Sequence, residues 1–214
     1  MQTQAQAQPP QQDRSKAVTA KNPDVQKILD KYPVIVGDHT FAEDIAATNP
    51  NYADSRKKGD KYYTHNCQRC VSAYEARRRG YDVTAAARVL QGDRLPYMMD
   101  AKGWAEVYED GRASLVKCAS NSSQGVKKKV MEQITNWGDG ARAIIRVRWR
   151  GGGGHVFIGE YHNGGVYFID PQNGSLDASQ YFALAKVNQT YVLRIDDKEF
   201  STLIEQCCEK GGTP

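Results

Sequence analysis

Residues 151–172, GGGGHVFIGEYHNGGVYFIDPQ, form the stretch that decides the fold. His155–Tyr161 and Val166–Asp170 are short runs rich in β-branched and aromatic residues, which is typical of strands. Asn163 and Gly164 lie between them, and an Asn-Gly pair strongly favours a two-residue hairpin turn. The stretch therefore predicts an antiparallel hairpin that begins with a histidine and ends with an aspartate.

The two-residue turn also predicts the register of this hairpin. His155 then lies opposite Gln172, and Phe157 lies opposite Asp170. Because side chains alternate between the two faces of a strand, these four residues share one face. His155 and Asp170 become diagonal neighbours, within reach of a side-chain contact. A shift of one residue would separate them, so the inference depends on the register.

Upstream of the hairpin, Asn66 and Cys67 precede a helical pattern. Cys67, Cys70, Val71 and Tyr74 recur at the spacing of one helix face. A cysteine in the first turn of a helix has its thiolate stabilised by the helix dipole. The order of cysteine, histidine and aspartate along the chain therefore suggests a papain-like thiol enzyme.

The remaining elements place the chain in the α+β class. Asn22 and Pro23 predict a helix start, residues 34–64 hold few periodic signals, and Asp197–Cys208 predicts a closing helix. A further helix is predicted over 125–134, and strands over 143–150 and 191–195. Helices come first, an antiparallel meander follows, and a helix ends the chain.

These elements predict one domain and a tail. Residues 1–21, rich in Gln, Ala and Pro at their start, are expected to be disordered. Residues 22–214 would form a single papain-like catalytic domain with a core over about 41–195. The interval from Cys67 to His155 leaves room for an insertion near 85–120.

Charge and hydropathy exclude few classes of binding partner. The net charge is +4, with basic clusters at Arg77–Arg79, at Lys127–Lys129 and at alternating Arg146, Arg148 and Arg150. The ordinary interpretation is solvated faces of helices and a strand, and the functional one is a guide for an acidic protein or nucleic acid. We expect no membrane span and no signal peptide, and nucleic acid is the less favoured partner.

The five cysteines do not suggest a secreted disulfide framework, because their number is odd and two are adjacent. A reducing compartment fits this usage better. Cys67 and Cys70 form a C-x-x-C pair, but Cys207 and Cys208 lack the spacing of a second zinc-ligand pair. The flanking sequence also lacks the βαβ pattern of a thioredoxin-like redox site. We therefore expect no metal and no cofactor.

Each member of the cysteine, histidine and aspartate set has an ordinary structural explanation when taken alone. A histidine at a strand start is usually structural, an aspartate before proline usually shapes a turn, and a cysteine on an apolar helix face usually packs in a core. Their joint occurrence in this order favours the catalytic interpretation. A thiol nucleophile needs a base and a group that orients the base.

Three motifs resemble those of the papain-fold toxin family of glutamine deamidases. They are the segment around Asn66-Cys67-Gln-Arg-Cys70, the run Gly154-His155-Val-Phe157, and Tyr167-Phe-Ile-Asp170-Pro-Gln172. The resemblance covers roughly residues 41–195. It implies a papain-like fold in which a helix bearing the cysteine packs on an antiparallel sheet bearing the histidine and aspartate.

The resemblance also implies a function and the roles of residues. Cys67 would be the nucleophile, His155 the base and Asp170 the orienting acid of an enzyme that deamidates a glutamine side chain through a thioester. Papain-like proteases carry an oxyanion-hole glutamine shortly before the cysteine, which this chain lacks. The candidates that remain are the Cys67 N–H together with Asn66, Gln68 or Gln172.

Two alternatives stay open at this point. A cysteine protease or a transglutaminase-like acyl transferase would use the same three residues, and an inert virion-associated structural or binding domain would use none of them. Family members typically occur at the ends of bacterial polymorphic toxins, in effectors and in some phage head-associated proteins. The expected partners are therefore a protein substrate with an acidic surface, and an immunity protein or a larger parent toxin or virion protein. The enzyme would act in a reducing, cytoplasmic compartment after delivery to a target cell or transport in a virion.

Overall fold

A computed structural model describes residues 17–91, 93, 95 and 103–212 of the chain. Of the predicted tail, residues 1–16 lie outside the described residues. Residues 17–21 pack on the domain: the Val18 N–H donates to the Arg79 carbonyl at 2.8 Å, and the Tyr81 hydroxyl donates to the Val18 carbonyl at 2.8 Å. For residues 17–21 the prediction of disorder was wrong.

Seven helical segments are found in the described part of the chain. They are α1 (Pro23–Leu29), α2 (Phe41–Thr48), α3 (Tyr52–Lys58), α4 (Cys67–Arg78), α5 (Ser123–Asn136), α6 (Tyr181–Leu184) and a 3-10 helix (Thr202–Gln206). The starts of α1 and α4 lie where the sequence predicted them, and Ser122 caps α5 through the Gly125 N–H. No helix within the described residues is long and apolar enough to cross a bilayer.

Helices α2 and α3 were not predicted, because they lie in residues 34–64, where the sequence holds few periodic signals. A complete capping box begins α2: the Thr40 hydroxyl accepts from the Glu43 N–H, and the Glu43 carboxylate accepts from the Thr40 N–H. Gly59, with a φ of +70°, ends α3 in the left-handed conformation. These local signals were present in the sequence but were not recognised.

The strands form two antiparallel sheets. They are β1 (Val83–Ala85), β2 (Val116–Lys117), β3 (Arg142–Arg148), β4 (Gly154–His162), β5 (Gly165–Ile169), β6 (Tyr191–Arg194) and β7 (Cys208–Lys210). The larger sheet has the order β2-β6-β3-β4-β5, and β1 pairs with β7. Together with the helices, these antiparallel sheets confirm the α+β class.

The β4–β5 hairpin has the predicted register. Ile158 pairs with Ile169, and Gly159 pairs with Phe168. Asn163 and Gly164 have φ values of +46° and +79°, as a two-residue turn of the type favoured by Asn-Gly requires. This register decides which face His155 and Asp170 occupy.

Two hydrophobic cores lie on opposite faces of the larger sheet. The first is built around α1, α2 and α4 and includes Val156, Ile158 and Ile169 from the hairpin. The second is built around α5 and α6 and includes Phe157 and Phe168. The alternation along β4 therefore supplies both cores, and α4 is held firmly against the sheet.

The basic cluster Arg77–Arg79 is buried, so the expectation of a solvated face or a surface guide was wrong for it. Arg77 and Arg78 contact Asp44 at 3.3 Å, and Arg78 also contacts Glu160 on β4 at 2.8 Å. These acidic partners come from α2 and β4, far from the cluster in sequence. By contrast, Lys127–Lys129 on α5 are largely solvated, as expected.

A second buried ion cluster joins α4 to β3. Glu75 contacts Arg79 at 2.8 Å and Arg142 at 2.7 Å. Burial alone would raise the pKa of Glu75, but the charges of Arg142 and Arg79 lower it to about 2. Because each buried charge has partners, the helix that begins with Cys67 is fixed in orientation as well as in depth.

The predicted closing helix over 197–208 was also wrong. The segment contains only the 3-10 helix, and Cys208 already belongs to β7, which pairs with β1. Phe200, Ile204 and Cys207 are nonetheless buried, as the helical pattern required. Cys208 pairs with Ala85 on β1, so the predicted span ends in a strand that the local pattern does not reveal.

Candidate active site

Cys67 is the first residue of α4. It is buried, with 5% of its surface exposed, and it lines a cavity together with His155. The backbone N–H groups of a first helical turn have no acceptors within the helix, so they favour negative charge near the helix start. The helix thus places the thiol where a thiolate is stabilised.

His155 lies near the start of β4 and contacts Asp170, which directly follows β5. The His155 Nε2 and the Asp170 Oδ2 are 2.9 Å apart, and both residues are buried. This is the contact that the predicted register required. Because Nε2 faces the carboxylate, Nδ1 is the ring nitrogen that remains for the thiol of Cys67.

Asp170 is held by further hydrogen bonds. The Tyr181 hydroxyl donates to Oδ2 at 2.8 Å, and the Gln172 N–H donates to Oδ1 at 3.0 Å. The Asn173 side-chain amide in turn donates to the Tyr181 hydroxyl at 3.0 Å. The carboxylate is therefore fixed from several directions, and it can fix the imidazole ring.

Aromatic side chains shield the histidine–aspartate pair from water. Trp149 and Phe157 both stack on the His155 ring, with centroid distances of 5.9 and 6.3 Å. Tyr181 meets the same ring edge-on at 5.5 Å. Exclusion of water strengthens the attraction between the imidazolium and the carboxylate.

The charges of the site favour an imidazolium next to Cys67. Burial alone would lower the pKa of His155, but the Asp170 carboxylate first, and Cys67 second, raise it to about 10. Burial likewise disfavours ionised Asp170, yet the charge of His155 and the hydrogen bonds to the carboxylate keep the pKa of Asp170 below its ordinary value. At neutral pH the pair is thus an ionised one.

Cys70 lies one turn further along α4 and is fully buried. Burial raises the pKa of its thiol well above the ordinary value. Burial also raises the pKa of Cys207, to about 12. All five cysteines are thiols that are not joined in disulfides. Among them, Cys67 combines access to the cavity with a neighbouring imidazolium, the two properties that a nucleophile needs.

The cavity beside Cys67 has a volume of about 570 Å³. It is lined by Cys67, His155, Trp149 and the three predicted oxyanion candidates Asn66, Gln68 and Gln172. Its walls also carry four arginines, namely Arg69, Arg88, Arg146 and Arg148. A cavity of this size accepts a protruding side chain.

The three oxyanion candidates differ in what their side chains already do. The Asn66 amide donates to the Ala86 carbonyl at 3.1 Å, and its Oδ1 faces the Gln172 Nε2 at 3.4 Å, so Asn66 ties loops together. The Gln68 Oε1 accepts from the Trp104 N–H at 3.1 Å, which orients its amide group. Asn66 and Gln172 are thus bonded to each other, and Gln68 is bonded to the backbone of Trp104.

Three residues of the site were missed by the sequence reasoning as functional candidates. Asn49 lies in the stretch with few periodic signals, but its side-chain amide donates to the carbonyls of Gln172 and Tyr63 at 2.7 and 2.9 Å. It thereby links the loop after Asp170 to the approach to α4. Tyr181 and Trp149 gave no motif of their own, because only the tertiary fold brings them to the histidine.

Of the three alternating arginines, two reach the cavity. Arg146 and Arg148 line it, and the Arg146 guanidinium lies 5.5 Å from the Tyr191 ring centroid. The Arg150 Nε donates to the Ala185 carbonyl at 3.4 Å, away from the cavity. The predicted basic strand face is therefore shorter than expected.

No three His, Cys, Asp or Glu side chains of the described residues are grouped so that they could hold a metal ion.

Comparison with known proteins gives one family. Residues 65–175, which run from just before Cys67 to just beyond Asp170, match the family described as papain fold toxin 1, glutamine deamidase. The match covers just over half of the 214 residues. Neither a curated protein nor a solved structure matches the chain significantly. The chain belongs to the papain fold toxin 1 family of glutamine deamidases.

Proposed function

We propose that this protein hydrolyses the side-chain amide of a glutamine in a protein substrate, with Cys67 as nucleophile, His155 as acid–base group and Asp170 as the orienting acid. The proposal rests on one observation. These three residues lie close together in the structure, and all of them lie within residues 65–175, which match the family. Cys67 and His155 line one cavity. The Asp170 Oδ2 lies 2.9 Å from the His155 Nε2.

The papain-like arrangement is part of the proposal. Helix α4 supplies the nucleophile at its first residue, and the β4–β5 hairpin supplies the base and its orienting acid. The buried ion clusters on α4 hold this helix in a fixed position against the sheet. Reacting groups held in this way need little reorganisation before the reaction begins.

In the first step, the Cys67 thiolate attacks the side-chain amide carbon of the glutamine and forms a C–S bond. The carbonyl π electrons move to oxygen and give a tetrahedral oxyanion. The proton on His155 passes to the amide nitrogen, the C–N bond breaks, and ammonia leaves. The products of this half-reaction are a thioester on Cys67 and a neutral His155.

In the second step, His155 takes a proton from water, and the hydroxide oxygen attacks the thioester carbon. The C–S bond breaks, a glutamate side chain is released, and the Cys67 thiolate faces a protonated His155 again. Asp170 keeps Nδ1 directed at the reacting atoms in both steps. Donors for the oxyanion would come from the Cys67 N–H and from Gln68 or Gln172.

The shape of the site favours a deamidase over a protease. Among the described residues the space beside Cys67 is a cavity of about 570 Å³, which fits a side chain that protrudes from a folded surface. A protease must also bind several residues of extended backbone. The same thioester would serve a transglutaminase-like enzyme, in which an amine replaces water.

The biological setting follows the family description and is also proposed. A toxin-type deamidase would modify a protein inside a target cell, in a reducing compartment that keeps Cys67 as a thiol. An immunity protein, a parent toxin or a virion protein would be the partners of such a domain.

The experiment is incubation of the protein with a target-cell lysate, followed by assays for ammonia, new peptide termini and incorporation of an added primary amine. Ammonia release without new termini, lost in Cys67→Ala, supports the deamidase. New peptide termini without conversion of glutamine to glutamate would show that the protein is a protease. Incorporation of the added amine would show that it is a transglutaminase-like enzyme. If a thiol electrophile fails to label Cys67 in preference to Cys118, the inert binding domain becomes the better account.

A further inference from the structure

The wall of the cavity beside Cys67 carries more positive than negative charge. Its lining includes four arginines, and Asp93 is the one acidic residue among the described lining residues. Asp93 is paired with Arg69 at 2.7 Å. A glutamine side chain is neutral and does not need this charge, and a cavity with low-dielectric walls concentrates a positive potential. The excess charge therefore requires another explanation.

Arg148 is the arginine best placed to bind a ligand. Its Nε is buried without a hydrogen-bond partner, and no ion pair of its guanidinium is found within the described residues. Leaving a buried donor unsatisfied costs free energy, and Arg148 also lines the cavity, so its guanidinium is a natural contact for an incoming anion. Arg146, by comparison, is packed over the Tyr191 ring.

Arg148 lines the same cavity as Cys67 and His155. Val147 pairs with His155 and shares its face of the sheet, so the neighbouring Arg148 points to the other face, the one on which the helix that begins with Cys67 packs. Arg148 pairs with Gly154, the residue before the proposed base. An anion on Arg148 would thus lie beside the glutamine that enters the cavity.

We infer that Arg148 forms, with its neighbours in the cavity wall, a subsite for the carboxylate of an Asp or Glu that lies close to the target glutamine in the substrate. This inference rests on the proposed function for the identity of the ligand. An extended nucleic acid is disfavoured, because it needs a basic surface that follows several phosphates. Here the charge lies inside a cavity, and Arg150 is directed away from it toward the Ala185 carbonyl.

The test compares alkylation of Cys67 by two reagents of similar size, the anionic iodoacetate and the neutral iodoacetamide, with labelling mapped by peptide mass spectrometry. We expect Arg148→Gln to lower the ratio of the iodoacetate rate to the iodoacetamide rate about three- to tenfold, as one nearby charge would. The iodoacetamide rate should change less than twofold, which also shows that the site is folded. Arg148→Lys should restore most of the ratio, and Arg150→Gln, outside the cavity, should leave it unchanged. An equal ratio in wild type and Arg148→Gln would overturn the inference.

A protection assay identifies the ligand class. Two Gln-containing peptides that differ only by Glu against Gln beside the target residue are added before iodoacetamide. Stronger protection of Cys67 by the acidic peptide, lost in Arg148→Gln, supports the inference. Equal protection by both peptides, or stronger protection by an oligonucleotide or by inorganic phosphate, overturns it. Neither assay requires turnover, so absence of deamidation would refute the proposed function without deciding the subsite.

Discussion

Replacement of Asp170 by Asn tests how the charge of the site is maintained. The carboxylate is the largest influence that raises the pKa of His155 from 6.5 to about 10. That difference corresponds to roughly 5 kcal/mol in favour of the protonated ring. Without the carboxylate charge, burial still lowers the pKa of His155 and only the contact with Cys67 raises it, so this pKa should fall well below 10. The imidazolium beside Cys67 would then be lost at a lower pH than in the wild type.

The assay is the rate of Cys67 alkylation by iodoacetamide between pH 5 and 9. The wild type should keep a high rate as the pH falls through 7, because the His155 imidazolium persists there and a neighbouring imidazolium favours thiolate reactivity. Asp170→Asn should be slower by about tenfold or more at pH 7, and its rate should rise steeply toward pH 9, as for an ordinary thiol.

Asp177→Asn is the matched control, since Asp177 lies in the same region but bonds to the Ser179 N–H and not to His155. It should leave the profile unchanged. An Asp170→Asn variant that melts like wild type and has the wild-type profile would refute the electrostatic account.

Three further predictions concern neighbouring groups. Cys70→Ser should keep measurable deamidase activity in an ammonia-release assay while Cys67→Ser loses it, because the Cys70 thiol is fully buried; the reverse ranking would overturn the choice of nucleophile. Tyr181→Phe removes the 2.8 Å hydrogen bond to Asp170 and should slow Cys67 alkylation several-fold at pH 7 with little loss of stability; an unchanged rate would show that the hydroxyl has no part in positioning the pair. Glu75→Gln should lower the free energy of unfolding at pH 7 by about 3 kcal/mol. The folded-state pKa of Glu75, about 2, lies below the ordinary 4.5, so this stability is present above pH 4.5 and is lost as the pH falls toward 2. Denaturant unfolding should show the difference between wild type and variant shrinking over that range, and a constant difference would contradict the assignment.

The parts of the site that could be predicted from the sequence depend on short-range signals. The Asn163-Gly164 turn fixed the hairpin register, and the register brought His155 to Asp170. The helical spacing after Cys67 placed the thiol at a helix start. Each of these inferences depends only on a turn motif or on a helical spacing of residues, and both can be recognised in a short stretch of sequence.

The parts that failed depend on distant partners. The sequence predicted a solvated Arg78, but in the structure Arg78 is buried and forms ion pairs with Asp44 and Glu160. Residues 197–208 were expected to form an α-helix, but they contain a 3-10 helix and end at Cys208 in a strand that pairs with the distant β1. Tyr181 comes eleven residues after Asp170 without any motif, and only the packing of α6 brings its hydroxyl to the carboxylate.

The central claim is hydrolysis of a glutamine side chain through a thioester on Cys67. The most direct measurement is exposure of a target-cell lysate to the protein in heavy-oxygen water, with site-resolved mass spectrometry of the lysate proteins. The account predicts one heavy oxygen in the side-chain carboxylate of a new glutamate, absent with the Cys67→Ala variant. Conversion that persists with Cys67→Ala, or heavy oxygen found only in new backbone carboxyl termini, would contradict it.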